Sequence, residues 1–239
     1  MTHLRRYAAP VTFRIPVKEK KWAPVPSPGP HPKEYSVPIL VVIRDWLGRA
    51  STAREAETIV KSGKIAVDGR TVREPRFPVG LMDVLTFPET GENYRVLPLY
   101  RKGLGLLEID GRESGFKLGL IVRKQHVKGG ALQFTLHDGR NVLLKDPTER
   151  ERSIMTHDVF KVELPSGKVL AHLKFSPGKY GLIFRGSRSG LHGPILSYEE
   201  VRRYPAKQLV TVQTSEGTIS TVLDYVMPVG EGEPWLKLP

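Results

Sequence analysis

The chain has 239 residues, with 37 Lys+Arg against 25 Asp+Glu, a formal net charge of +12 and no cysteine. The missing cysteine excludes disulfides, thiolate zinc sites and thiol catalysis and fits a reducing cytosol. The charge excess points to a polyanionic partner without specifying a fold. No apolar run approaches the roughly 20 residues of a membrane-spanning helix. The opening Met1-Thr2-His3-Leu4-Arg5-Arg6 has charge but no apolar core behind it, so no secretory signal is expected.

Residues 1–36 read as a basic arm. Arg5, Arg6, Arg14, Lys18, Lys20, Lys21 and Lys33 are opposed only by Glu19 and Glu34, and Pro24, Pro26, Pro28, Pro30 and Pro32 crowd its second half. Proline fixes φ and donates no hydrogen bond, so the arm is expected to be extended and largely coreless. It is either a plain linker or, with Tyr7, Phe13 and Trp22 interleaved among the cations, an arm that orders along an RNA surface.

Regular structure is expected from Pro38. The apolar run Ile39-Leu-Val-Val-Ile43, between Pro38 and Gly48, predicts a helix over about 38–47. A second helix follows over 53–62. Ser51 and Thr52 can cap it, Glu55 stands three residues after Thr52 in capping-box spacing, and Gly63 stops it. Ala53, Ala56, Ile59 and Val60 form its inward stripe, leaving Arg54 and Lys61 on another face. A hairpin turned at Asp68-Gly69 comes next, the strongest short hairpin signal. The same turn device recurs at Asp110-Gly111-Arg112 and Asp138-Gly139-Arg140, and more loosely at Ser166-Gly167-Lys168. From residue 100 onward, alternating segments at 118–122, 131–136, 141–144 and 160–164 predict antiparallel β structure. Closely spaced glycines at 178, 181, 186, 190 and 193, around Leu182 and Phe184, suit a small barrel.

Helix 53–62 offers N-terminal N–H groups to a phosphate, with Arg49 and Arg54 flanking that end and Lys61, Lys64 and Arg70 extending the basic surface. Helix followed by basic hairpin is the pattern of a small RNA-binding module. Catalytic readings fare poorly. His137-Asp138 is better explained by turn chemistry. His157-Asp158 has no nucleophile beside it, and His126, His137, His157, His172 and His192 show no metal spacing. Neither a cofactor, a metal nor a small-molecule substrate is expected.

Residues 37–99 resemble the alpha-L type RNA-binding domain found in the universal ribosomal S4 protein and in some pseudouridine synthases. The matching residues are Ser51, Ala53, Ala56, Ile59-Val60, Ser62-Gly63-Lys64-Ile65-Ala66-Val67-Asp68-Gly69 and Val72, then Gly80 and Asp83-Val84. Gly80-Leu-Met-Asp83 departs from the usual adjacent glycine and aspartate by two residues, which implies a reshaped turn. The flanks extend the likeness over the whole chain. His3-Leu-Arg-Arg-Tyr-Ala-Ala-Pro10, Trp22-Ala-Pro, Gly29-Pro-His31, Thr90-Gly-Glu-Asn93 and Pro234-Trp-Leu-Lys-Leu-Pro239 together resemble the small-subunit ribosomal S4e family of archaeal and eukaryotic type. Ending at Pro239, without the basic extension of eukaryotic members, favours the archaeal type.

That resemblance implies an α+β, multi-module chain. Its parts would be an extended basic arm (1–36), a helix-helix-hairpin alpha-L domain (37–99), a central antiparallel β domain (100–171) and an SH3-like KOW barrel with its tail (172–239). The implied role is a structural, non-catalytic constituent of the small subunit in the cytoplasmic ribosome. Its partners would be small-subunit rRNA, in the 5′ domain, and neighbouring ribosomal proteins, with no membrane and no homo-oligomer. The residues expected at RNA are Arg5, Arg6, Arg14, Lys18, Lys20, Lys21, Trp22, Lys33, Arg44, Arg49, Ser51, Thr52, Arg54, Lys61, Lys64, Arg70, Arg73, Arg76, Lys179, Arg185 and Arg188. Arg49 and Arg54 are expected to be the most costly losses. The rivals are a pseudouridine-synthase type of enzyme, for which the Arg-Leu-Asp context is missing, and a KOW-containing transcription or translation factor.

Overall fold

Apolar side chains spaced through the arm decide how it folds. In the computed structural model, which describes residues 4–199 and 208–239, Leu4, Phe13 and Ala23 are buried in the same core cluster as Ile39, Val42, Val60 and Ile65. Strand β1 (Leu4–Arg5) pairs with β2 (Trp22–Ala23). Trp46 Nε1 donates to the Phe13 carbonyl at 3.0 Å, and the Ser27 N–H to that of Arg76 at 2.8 Å. The expected coreless arm is therefore corrected. Proline removes backbone donors, but it does not stop the intervening Phe13, Leu4 and Ala23 from leaving water. The regular structure of the arm is slight, as its prolines require: two-residue strands and single 3-10 turns. His3, part of one resembling motif, lies outside the described residues.

The chain divides into two units, residues 1–117 with 164–166, and residues 118–163 with 167–239. In the first, β3 (Ser36–Pro38) leads into a helix that starts as α1 (Ile39–Val41) and widens to a π turn over Val42–Trp46. The Leu47 N–H donates to the Val42 carbonyl and Gly48 takes φ +64°, so the expected helix is present and stops where its glycine stops it. Helix α2 (Ala53–Lys61) has Ala56 and Val60 fully buried. Strands β4 (Ala66–Val67) and β5 (Arg70–Thr71) form the expected hairpin. Both turn residues are left-handed, Asp68 at φ 51° and Gly69 at φ 74°, the requirement that selects Asp-Gly. Strand β6 (Pro78–Gly80) pairs with β3. Strands β7 (Val84–Phe87), β8 (Glu92–Leu99) and β9 (Gly103–Glu108) complete an antiparallel sheet in the order β5-β4-β7-β8-β9.

The turn at Asp110-Gly111-Arg112 is not a hairpin. It runs into a 3-10 turn (Glu113–Gly115) and then β10 (Phe116–His126), which belongs to a different sheet from β9. An Asp-Gly pair specifies a local reversal, and whether the next strand pairs back is settled by what that strand can bury.

The second unit holds two five-stranded antiparallel sheets. One has β11 (Leu132–Leu136), β12 (Asn141–Leu144), β13 (Val159–Glu163) and β14 (Val169–Leu173) around β10, in the order β12-β11-β10-β13-β14, with the short α3 (Glu149–Arg152) between β12 and β13. Asp138-Gly139 and Ser166-Gly167 do turn hairpins there. Phe134 and Phe160 meet edge to face at 5.5 Å in its core, with Ile121, Leu136 and Val162 buried around them. The other sheet runs β18-β17-β16-β15-β19, from β15 (Tyr180–Ile183), β16 (His192–Glu199), β17 (Leu209–Thr214), β18 (Gly217–Val222) and β19 (Val226–Gly230). The whole is α+β with few helices and many antiparallel strands.

Candidate nucleic-acid interface

The first unit separates charges that serve the fold from charges that face outward. Inside, Lys117 at the start of β10 donates to Asp68 Oδ2 at 2.6 Å and to Asp83 Oδ1 at 3.1 Å. Asp83 also accepts from His31 Nε2 and from the Gly80 N–H, both at 2.9 Å, and Asp68 accepts from the Val84 N–H at 3.0 Å. Two turns, one strand and the arm thus converge on a single buried network. In the turn between Gly80 and Asp83, Met82 takes a left-handed φ of 68°. Gly80 has no side chain because a Cβ there would overlap the His31 ring. Burial raises the Asp68 carboxyl above its ordinary pKa and neighbouring Asp83 adds to this, against the pull of Lys117. Burial pushes Asp83 the same way, yet Lys117 and His31 together hold it well below the carboxylate range. Arg95 is fully buried, donating to the carbonyls of Glu113 (2.8 Å) and Phe116 (2.9 Å); burial lowers it to about 10.

Lys117, Asp68, Asp83 and His31 do not stand out as a network from the sequence. Asp68 and Asp83 were legible only as turn residues, and His31 only as part of a proline-rich motif. Lys117 carried one signal, a lone cation in the apolar run Phe116-Lys-Leu-Gly-Leu-Ile-Val122. A charge in such a run must find partners if it is buried.

The expected RNA residues divide in the same way. Arg6 is corrected from surface to interior: it is 2% exposed and donates to the Pro16 carbonyl at 2.5 Å. Arg44 is largely buried against Asp45 at 2.7 Å. Arg49 is held by an ion pair to Glu92 and by its guanidinium lying 3.9 Å from the Phe87 ring centroid. The Glu92 carboxyl, bonded by Tyr94 and paired with Arg49, is lowered. At the start of α2 the capping box is complete. Thr52 Oγ1 accepts from the Glu55 N–H at 3.2 Å, and Glu55 Oε2 accepts from the N–H groups of Ser51 (2.8 Å) and Thr52 (3.3 Å). These bonds lower the Glu55 pKa. A carboxylate of the chain itself thus fills the place where a phosphate was expected to meet Ser51 and Thr52.

Facing outward are Arg5, Arg14, Lys18, Lys20, Lys21, Trp22, Lys33, Arg54, Lys61, Lys64, Arg70, Arg73 and Arg76. Some are loosely engaged: Arg5 bonds the Tyr7 hydroxyl at 2.8 Å, Arg14 stands 5.9 Å from the Trp46 ring, and Lys61 and Lys64 meet Glu57 and Glu89 at 3.4 and 3.1 Å. Exposed pairs of this kind contribute about 0–1 kcal/mol and exchange readily for another anion. The fold brings Lys20, Lys21 and Trp22 of the arm, Lys61 of α2, Arg44 and Arg76 onto one open groove of about 680 Å³. Lys33, Arg54, Arg70 and Arg73 lie outside it. In the second unit Lys179 pairs with Glu231 at 3.0 Å, Arg188 pairs with Glu216 at 3.1 Å, and Arg185 stacks 5.2 Å from the Phe184 ring. Among the described residues no His, Cys, Asp and Glu side chains gather as a metal site.

Three family models match successive stretches: the RS4NT (NUC023) domain at residues 2–34, the S4 domain at 39–85 and Ribosomal family S4e at 90–169. The small ribosomal subunit protein eS4 of Staphylothermus marinus is 43% identical over 242 residues, covering 99% of this chain and 95% of that protein. The protein of the same name from Methanothermobacter thermautotrophicus is 41% identical, covering 99% and 96%. The crystal structure of the 30S ribosomal protein S4e from Thermoplasma acidophilum is similar with a TM-score of 0.70 and 34% identity, covering 83% of this chain and 97% of that one. With the arm, the α2-hairpin unit and the strands after it each matched in order, this chain belongs to the ribosomal S4e family.

Proposed function

We propose that the chain is a structural, non-catalytic constituent of the small ribosomal subunit, working in the cytoplasm, where it binds folded rRNA and neighbouring ribosomal proteins. The observation that carries this is full-length relatedness, at about 40% identity, to proteins named as small-subunit components. The outward cations supply the physics. Each lysine or arginine that neutralises a phosphate releases counterions, giving affinity that is strong, salt-sensitive and little concerned with sequence. The pseudouridine-synthase rival has no support among these relatives.

Several finer points belong to the same reading. The RNA contacted lies in the 5′ domain and the protein works as a single copy. The chain is organised as arm, alpha-L module, central β segment and a KOW-type barrel. Contacts come from Arg5, Arg14, Lys18, Lys20, Lys21, Lys33, Arg54, Lys61, Lys64, Arg70, Arg73 and Arg76, with Lys179, Arg185 and Arg188 from the second unit. Arg44 and Arg49 act mainly by shaping that surface, since Arg44 is buried against Asp45 and Arg49 is held between Glu92 and the Phe87 ring. The test is binding of a small-subunit rRNA 5′-domain transcript between about 50 and 200 mM salt. The log–log slope should be steep, near 0.7–0.9 per phosphate neutralised. A flat response would remove the electrostatic mechanism.

A further inference from the structure

The groove between the arm and α2 is built unlike a plain phosphate track. Its wall includes Trp22, which is 47% exposed although its neighbour Ala23 is buried and β2 is held to β1. Tyr7 (68%) and Tyr35 (41%) are comparably exposed, but Trp22 is the aromatic residue that lines this groove. Lys21 Nζ stands 5.1 Å from that ring's centroid. Beyond the ring, Pro24, Val25 and Pro75 make the lining partly apolar, and Glu57 and Glu74 add hydrogen-bond acceptors. Lysines and arginines outnumber carboxylates along the lining five to two.

We propose that this groove takes one unstacked nucleotide of an RNA strand, its base against the Trp22 indole and its flanking phosphates on Lys20, Lys21 and Lys61. The inference rests on the RNA-binding function above and adds a ligand chemistry to it. A backbone track needs cations alone, and an aromatic face with an apolar floor adds nothing to phosphate binding. A base has a π-face for the indole and N–H edges for the carboxylates, so it uses every part of the lining. The volume, about 680 Å³, lies within the roughly 300–1,000 Å³ range of sites that enclose a small ligand. A base inside a continuous duplex is stacked on both sides and cannot enter. The ligand is therefore a bulged, looped or single-stranded nucleotide.

The test compares the full chain with W22A and W22F, using a labelled 16-nucleotide mixed-sequence single-stranded RNA and the same sequence as a blunt duplex. Melting curves of the three proteins establish that each is folded. W22A should weaken single-strand binding by about 5- to 150-fold, the equivalent of roughly 1–3 kcal/mol for one stacked base. Its salt slope and its duplex affinity should not change, and W22F should recover most of the loss. Unchanged single-strand affinity in W22A, the outcome if the groove seats a protein neighbour instead, overturns the proposal and leaves RNA binding standing. An equal loss on strand and duplex with a shallower salt slope also overturns it, because the residue would then only shape the electrostatic surface. If the wild-type chain binds neither these RNAs nor an rRNA transcript, the RNA reading itself falls and the groove proposal with it.

Discussion

Around Lys117 the first unit closes a cation against two carboxylates at 2.6 and 3.1 Å, with the lysine side chain 1% exposed. Along α2, Lys61 is 64% exposed and reaches Glu57 only at 3.4 Å. Residue type is the same and use is opposite. In the interior, removing a charge from water costs several kcal/mol, so each one present is partnered, though the Nε atoms of Arg6 and Arg95 are buried without a hydrogen bond. On the outer face little desolvation has occurred, and the cations keep their charge available for a polyanion that can displace a weak neighbour. Partnering therefore distinguishes the charges that hold this fold from those left available at its surface, and Arg6 falls on the first side despite its place in a basic arm.

The comparison breaks most visibly at Lys117. Lys117→Met leaves Asp68 and Asp83 buried without their cation and should cost about 3–5 kcal/mol, read as a lowered urea midpoint. If the loss is under about 1 kcal/mol, the interior network is not what holds these turns together. Asp83→Asn should cost about 3 kcal/mol, more than Asp68→Asn, because Asp83 is the carboxylate stabilised in its charged form.

The same pair predicts a pH response. A carboxyl lowered on folding contributes stability above its unfolded value near 3.9, and that contribution is lost as pH falls toward the folded value. Asp83 is of this kind. Asp68 is raised, so its contribution has the opposite sign: it is present at low pH and lost as pH climbs through its folded value. Acid destabilisation below about pH 4 should therefore be shallower in Asp83→Asn, with the part due to other lowered carboxyls such as Glu55 and Glu92 remaining, and persist in full in Asp68→Asn, as followed by thermal melts across that range.

Thr52→Ala removes one side of the capping box on α2 and should cost about 1 kcal/mol, measured by the same urea titration. Smallest in stability are the outer cations. Arg54→Gln and Arg70→Gln should each change stability by no more than about 0.5 kcal/mol, while each lowers the salt slope of rRNA binding by about 0.7–0.9 if it meets a phosphate. A large stability loss from either would erase the line drawn between the two classes of charge.

What could be read from the chain alone follows the range of the interactions concerned. The hairpin at Asp68-Gly69, the capping box of Thr52 and Glu55, and the turns at Asp138-Gly139 and Ser166-Gly167 are decided within a few residues, by backbone conformation and local hydrogen bonds. The outer cations of the arm and of α2 were legible as candidates from their density. The burial of Phe13 and Arg6 was not, because proline content describes a backbone and says nothing about which side chains find a core. Asp110-Gly111 looked like its hairpin counterparts for the same reason.

By itself the sequence determined the local turns, the helix ends, the excess of positive charge and, through motifs spread over its length, the family. Only tertiary structure decided which charges stayed outside. Lys117 was paired with residues 49 and 34 positions away in the chain, and the arm was drawn onto the core beside α2 with Trp22 still facing water. The physical reason is that desolvation depends on everything that surrounds a group in space, and no stretch of sequence carries its own surroundings.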